Sequence, residues 1–139
     1  MSAATRTPSA LVTSGLVEIA ASAMSGWLYA LVIADKEKAR RLGIVSGGRI
    51  RQWHLDLAAL GTATVAIGAA VPDAPKPLQA TLAVGAWSNA MMFLPLAFRP
   101  EWEGAKTYRA VAIGSFVTTT VGFVGYAGAA LRSRRAALR

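Results

Sequence analysis

The residue with the widest chemical scope is His54, the only histidine, placed where a basic stretch, Arg49-Ile-Arg51, gives way to an apolar run that continues to Val71. An imidazole at such a boundary has two readings. Either it sits wet at headgroup level beside Trp53, or it ligates a metal or haem iron, a task for which histidine is the commonest side chain. Asp56, two positions on, points elsewhere around a helix; it is expected to cap first-turn backbone donors or to pair with Arg49 or Arg51.

Three further groups could move or hold a proton. Glu18 is the one charged residue between Ala10 and Ala34, and Ser14, Glu18, Ser22 and Ser25 recur at helical spacing to form a polar seam. A carboxylate facing lipid costs at least a few kcal/mol, so the seam is expected to face the interior, with Glu18 as inter-helix glue or as a proton or cation site. Asn89 must find partners if buried, whether in a neighbouring helix or in a ligand. Tyr126 ends a stripe of Gly114, Thr118 and Gly122 that predicts close helix packing, within one protomer or between copies.

The elements that position these groups follow from composition. Of 139 residues, 54% are hydrophobic and only 16% charged, a balance outside the usual soluble range. The apolar residues form long continuous runs, each about sufficient to cross roughly 30 Å of hydrocarbon at about 1.5 Å per residue. The expected fold is therefore an all-α integral membrane four-helix bundle in a single domain over 1–139, with helices over 10–34, 54–71, 78–98 and 110–131. The runs do not alternate with the period of barrel strands. A cleaved signal peptide is not expected either, because only Arg6 precedes an apolar stretch that contains Glu18 and runs on past Ala21-Ser-Ala23.

The longest loop is expected over Asp35 to Gln52, with Ser46-Gly-Gly48 as a hinge and Lys36, Lys38, Arg40, Arg41, Arg49 and Arg51 near lipid headgroups or a ligand carboxylate. Pro95 is expected to kink the last turn of the third helix. Trp53 and Trp102 mark one membrane face as an aromatic belt. The net charge of +8 lies in loops and tail, where anionic lipid explains it and nucleic acid is not expected. The absence of cysteine excludes disulfides, thiolate-ligated haem, iron–sulfur clusters and covalent haem attachment.

His54-Leu-Asp-Leu-Ala-Ala-Leu-Gly61, a proline closing that helix, Ala86-Trp-Ser-Asn89, and Phe98-Arg-Pro100 followed by Gly104 resemble the styrene oxide isomerases. That family's pattern is a His, a Gly seven residues on, and Gly-Trp-Gly-Asn in the third helix. His54-Leu-Asp56 is also similar to the His-Leu-Glu-Gly segment of hydroxylaminobenzene mutases, another group of small four-helix membrane isomerases. Gly15 and Gly26 fit as well. The resemblance implies a homotrimer in the bacterial inner membrane, with non-covalent haem b held by His54 and with Trp87 and Asn89 lining or bracing the pocket. It implies an iron that acts as a Lewis acid on an epoxide oxygen. Arg49 and Arg51, beside His54, are placed to grip the haem propionates. Where the family has an Asn before the second-helix Gly this chain has Leu60. Where it has a pocket Tyr this chain has Phe93, and Ser14-Gly15 stands for its first-helix His-Gly. These apolar replacements in the substrate pocket point away from styrene oxide itself.

One histidine and no cysteine also mean that a single chain cannot build a bis-histidine site. The iron's sixth position would stay open unless Met91, Met92, a tyrosine or another protomer reached it, and an open position suits Lewis-acid chemistry. The leading expectation is a haem-dependent isomerase of a small lipophilic substrate, an epoxide or an N-oxygenated compound, with Glu18, Asn89, Thr118 and Tyr126 available for proton movement. A helix-one carboxylate in four short helices also resembles small multidrug resistance exporters, in which Glu18 would exchange protons for cations. A non-catalytic haem-bearing membrane subunit is the third reading.

Overall fold

A computed structural model describes residues 7–139; Arg6 lies outside the described residues. Every regular element among the described residues is helical, in the order α1 (Ala10–Ala34), α2 (Lys36–Arg41), α3 (Gly47–Ala70), α4 (Lys76–Met91), α5 (Phe93–Phe98), a 3-10 turn (Pro100–Gly104) and α6 (Lys106–Ala137). Helix α1 packs mainly on α3 and α4 mainly on α6, and α3 joins the two pairs through α4 and α5. Ala10–Ala34, Lys76–Phe98 and Lys106–Ala137 are long and apolar enough to cross a membrane. Their outward faces carry large apolar side chains such as Met24, Trp27, Ile113 and Val124, a surface that hydrocarbon solvates better than water.

Helix α3 departs from the expected second span. It begins at Gly47, not near residue 54, and so carries Arg49, Arg51, His54 and Asp56 in its first half. The expected loop and hinge are correspondingly replaced by structure. Asp35 caps α2 by accepting from the Lys38 amide at 2.9 Å. The helix then ends in a Schellman motif: Gly43, at φ 82°, donates to Arg40, Ile44 donates to Ala39, and Ile44 is buried with Ala39. The Val45 and Ser46 amides both donate to the Ala97 carbonyl, at 2.8 and 3.0 Å, tying the entry of α3 to the end of α5. Ser46-Gly-Gly48 is thus a helix start, and Asp56 lies too far along α3 to cap it.

Close backbone approach fixes the main crossing. A Cβ on Gly15 would lie 2.8 Å from the Gly61 carbonyl oxygen, and one on Gly61 would lie 3.0 Å from the Gly15 oxygen. Only glycine on both sides allows this contact. On α6 the buried stripe is Ser115, Thr119, Gly122, Tyr126 and Ala129, so Gly114 and Thr118 of the expected stripe turn away from α4. Strict four-residue steps advance about 40° too far per step, whereas alternating fours and threes keep to one face. Pro95 does break its helix, but at Met92, because it has no N–H for the Met91 carbonyl one turn back.

Candidate functional site

The inner face of α1 is the polar seam: Glu18, Ser22 and Ser25 are buried, and Ser14 is half-buried. It meets α3 so that Ser22, Ser25 and Gly26 surround the His54 ring. His54 Nδ1 lies 3.0 Å from the Ser22 carbonyl oxygen and 3.1 Å from Ser25 Oγ. Ser25 Oγ donates its own proton to the Ser22 carbonyl at 2.8 Å, and Ser22 Oγ donates to the His54 carbonyl at 3.0 Å. Every group facing Nδ1 therefore offers it a lone pair, which assigns the proton to Nδ1 and leaves Nε2 unprotonated in the neutral ring. Nε2 has no hydrogen-bond partner among the described residues.

Two neighbours hold the ring's plane. Tyr29 stacks against it at 6.0 Å between centroids and 26° between planes. A Cβ on Gly26 would come within 3.3 Å of His54 Cε1, so the glycine leaves room for the imidazole to lie against α1. A backbone carbonyl on Nδ1–H with a free Nε2 is the arrangement that orients a ligating histidine. No group of three or more His, Asp or Glu side chains among the described residues could cage a bare ion. A single imidazole fits a metal that brings its other ligands in a macrocycle, as haem iron does.

The remaining expected residues fall into separate places. Trp87 Nε1 donates to Ser14 Oγ at 3.0 Å, so Trp87 braces α4 against α1. Arg49 donates to Glu103 at 2.6 Å and to Gln52 at 3.1 Å, and its guanidinium lies 5.8 Å above the Phe93 ring. Its fork is shared by Glu103 and Gln52, and the expected Asp56 pairing is replaced by Glu103. Arg51 is exposed. Leu60, Phe93 and Asn89 are half-buried, and the Asn89 side chain makes no hydrogen bond among the described residues.

Glu18 is fully buried, and among the described residues neither carboxyl oxygen has a hydrogen-bond partner; the buried Thr64 hydroxyl is likewise unpartnered among them. Tyr126 is buried with Leu11, Ala74 and Leu82 at the far end. Leu11 lies 11 to 14 residues from Ser22 and Ser25, roughly 17–21 Å along α1. The structure does not bring Tyr126 to His54.

Sequence reasoning missed Tyr29, although it continues the seam of Ser22, Ser25 and Gly26 by one more turn. It also missed Met91 as the acceptor of the Trp53 indole N–H at 3.3 Å, which no spacing within either helix signals. Comparison with family models, with curated proteins and with solved structures gives no match for this chain.

Proposed function

We propose that this chain is a haem b-binding integral membrane protein, with four helices spanning the bacterial inner membrane, that isomerises a small lipophilic epoxide or N-oxygenated compound. The observation that carries the reading is His54, whose Nδ1 proton is held by the Ser22 carbonyl while Nε2 stays free. His54 would be the one protein ligand, and homotrimer formation would complete the site around it. When bound, haem would supply a Lewis-acidic iron with an open position to polarise a substrate oxygen.

The chain's own residues would do the rest. The Ser22 carbonyl and Ser25 hydroxyl fix the imidazole's tautomer, and Tyr29 and Gly26 fix its plane. Leu60 and Phe93 would give the substrate an apolar contour. Asn89, with its amide uncommitted, would orient a substrate oxygen, and Glu18 would take or return a proton. The test is the ultraviolet-visible spectrum of purified protein and of His54→Ala, with iron quantified per protomer. A Soret band lost in the variant is expected. Folded, monodisperse wild type from haem-replete cells with no Soret band would overturn the reading.

The unpartnered Glu18 carboxyl favours a second reading, proton-coupled export of lipophilic cations. There Glu18→Gln abolishes cation resistance in cells. Unchanged resistance would count against it.

A further inference from the structure

The break at Met92 opens a cavity of about 560 Å³ between α4, α5, the 3-10 turn and the start of α6. Its size is that of small-molecule sites. Met91, Pro95, Trp102, Tyr108 and Val111 line it, and neither His54 nor Glu18 does. Two of the polar side chains on its wall are satisfied by protein, while the Thr107 hydroxyl and the Trp102 indole N–H have no protein partner among the described residues. Tyr108 donates its hydroxyl proton to the Met92 carbonyl at 2.6 Å, and Ser88 Oγ bonds to the Gly85 carbonyl and to Ser115 Oγ at 3.1 and 2.9 Å. The cavity therefore presents a thioether, an indole, a phenol ring, one threonine hydroxyl and aliphatic carbon, and it has no charged lining residue.

We infer that this cavity is a binding site for a small uncharged aromatic molecule that enters from the membrane. A charged guest would lose its hydration with no charge in the lining and only a hydroxyl and an indole N–H to replace it. Sulfur–aromatic and ring–ring contacts favour a flat aromatic guest over an acyl chain, which gains only dispersion from the same walls. The 3-10 turn packs on both α5 and α6 and bounds one end with Trp102, so the space suits a compact guest better than a long chain. A shallow surface groove on α4 shares Ser88 and Met91 and continues past Trp87. Met91, on the wall of both, also accepts the indole N–H of Trp53, the residue before His54. The inference does not depend on how His54 or Glu18 is read.

The test is fluorescence titration of aminoanthracene into lipid nanodiscs carrying the full-length protein, against empty nanodiscs. Saturable binding of one probe per protomer is expected, displaced by naphthalene and retained in His54→Ala. Val111→Trp and, independently, Ala105→Phe should fill the cavity and weaken binding about tenfold or more. Each is checked for folding by circular dichroism, so that one well-folded variant suffices. Partition equal to that of empty nanodiscs would overturn the proposal, as would wild-type affinity in a folded filling variant. Nanodiscs with brominated acyl chains add a further arm. Trp102 quenching that naphthalene relieves would show an acyl chain in the cavity and would also overturn it.

Discussion

His54 Nδ1 donates to the main-chain carbonyl of Ser22, 3.0 Å away, so the imidazole is anchored by the backbone of α1 and not by a side chain that one substitution could remove. The Ser22 and Ser25 hydroxyls add to that anchor, while the glycine at 26 makes it sterically possible.

The first prediction separates these parts. Under the haem-binding proposal, Ser22→Ala and Ser25→Ala leave the carbonyl in place and should retain most of the haem. Gly26→Leu puts a side chain where a Cβ alone is 3.3 Å from His54 Cε1, and should displace the ring and lose the haem. The Soret absorbance per protomer reports both, and nitrogen NMR of the imidazole reports the Nδ1–H tautomer independently of haem.

The helix crossing gives a stability prediction. Gly15→Ala forces a methyl to 2.8 Å from the Gly61 oxygen and from a Val65 methyl, and overpacking of this kind costs about 1–3 kcal/mol. A Cβ on Gly114 meets nothing within 4 Å, so Gly114→Ala should be neutral or stabilising by up to about 1 kcal/mol through helix propensity. Unfolding in mixed detergent with increasing dodecyl sulfate measures both.

Glu18 offers a contrast between function and stability. Both oxygens are buried without partners among the described residues, an arrangement that costs about 1–3 kcal/mol per polar group. Glu18→Leu should therefore raise the unfolding midpoint while abolishing any activity that needs the carboxyl. A lowered midpoint in the same detergent titration would show that the carboxyl is satisfied in the native protein.

The Arg49–Glu103 pair predicts an asymmetry. Glu103 is well exposed, and such pairs contribute about 0–1 kcal/mol, so Glu103→Ala should be mild and its effect should fade in high salt. Arg49→Ala also removes the bond to Gln52 and the cation over Phe93, and should cost about 1 kcal/mol more. Thermal unfolding of the two variants at low and high salt compares them.

Much of the architecture was legible in the sequence because lipid imposes strict rules. The bounds of α1 match the expected 10–34, and the seam of Ser14, Glu18, Ser22 and Ser25 turns inward as the cost of polar groups in hydrocarbon requires. The start of α3 was not legible, since two glycines and two arginines read locally as a loop. Tertiary bonds from Val45 and Ser46 to Ala97 hold the entry to the helix where it is. The small-residue stripe of α6 was readable in kind but not in register, because a step of four and a step of three both lie near one face and only contact with α4 chooses between them.

By itself the sequence determined an all-helical chain with long apolar segments, a single imidazole able to ligate, and a carboxyl that must turn inward. Those depend on residue type and helical period alone. The fold decided which nitrogen of His54 is free, that Tyr29 lies on its ring, that Arg49 belongs to Glu103, and that Tyr126 packs at the opposite end. Each of these depends on how antiparallel helices slide past one another. That offset is set by the Gly15–Gly61 contact between residues far apart in the chain, which local periodicity does not encode.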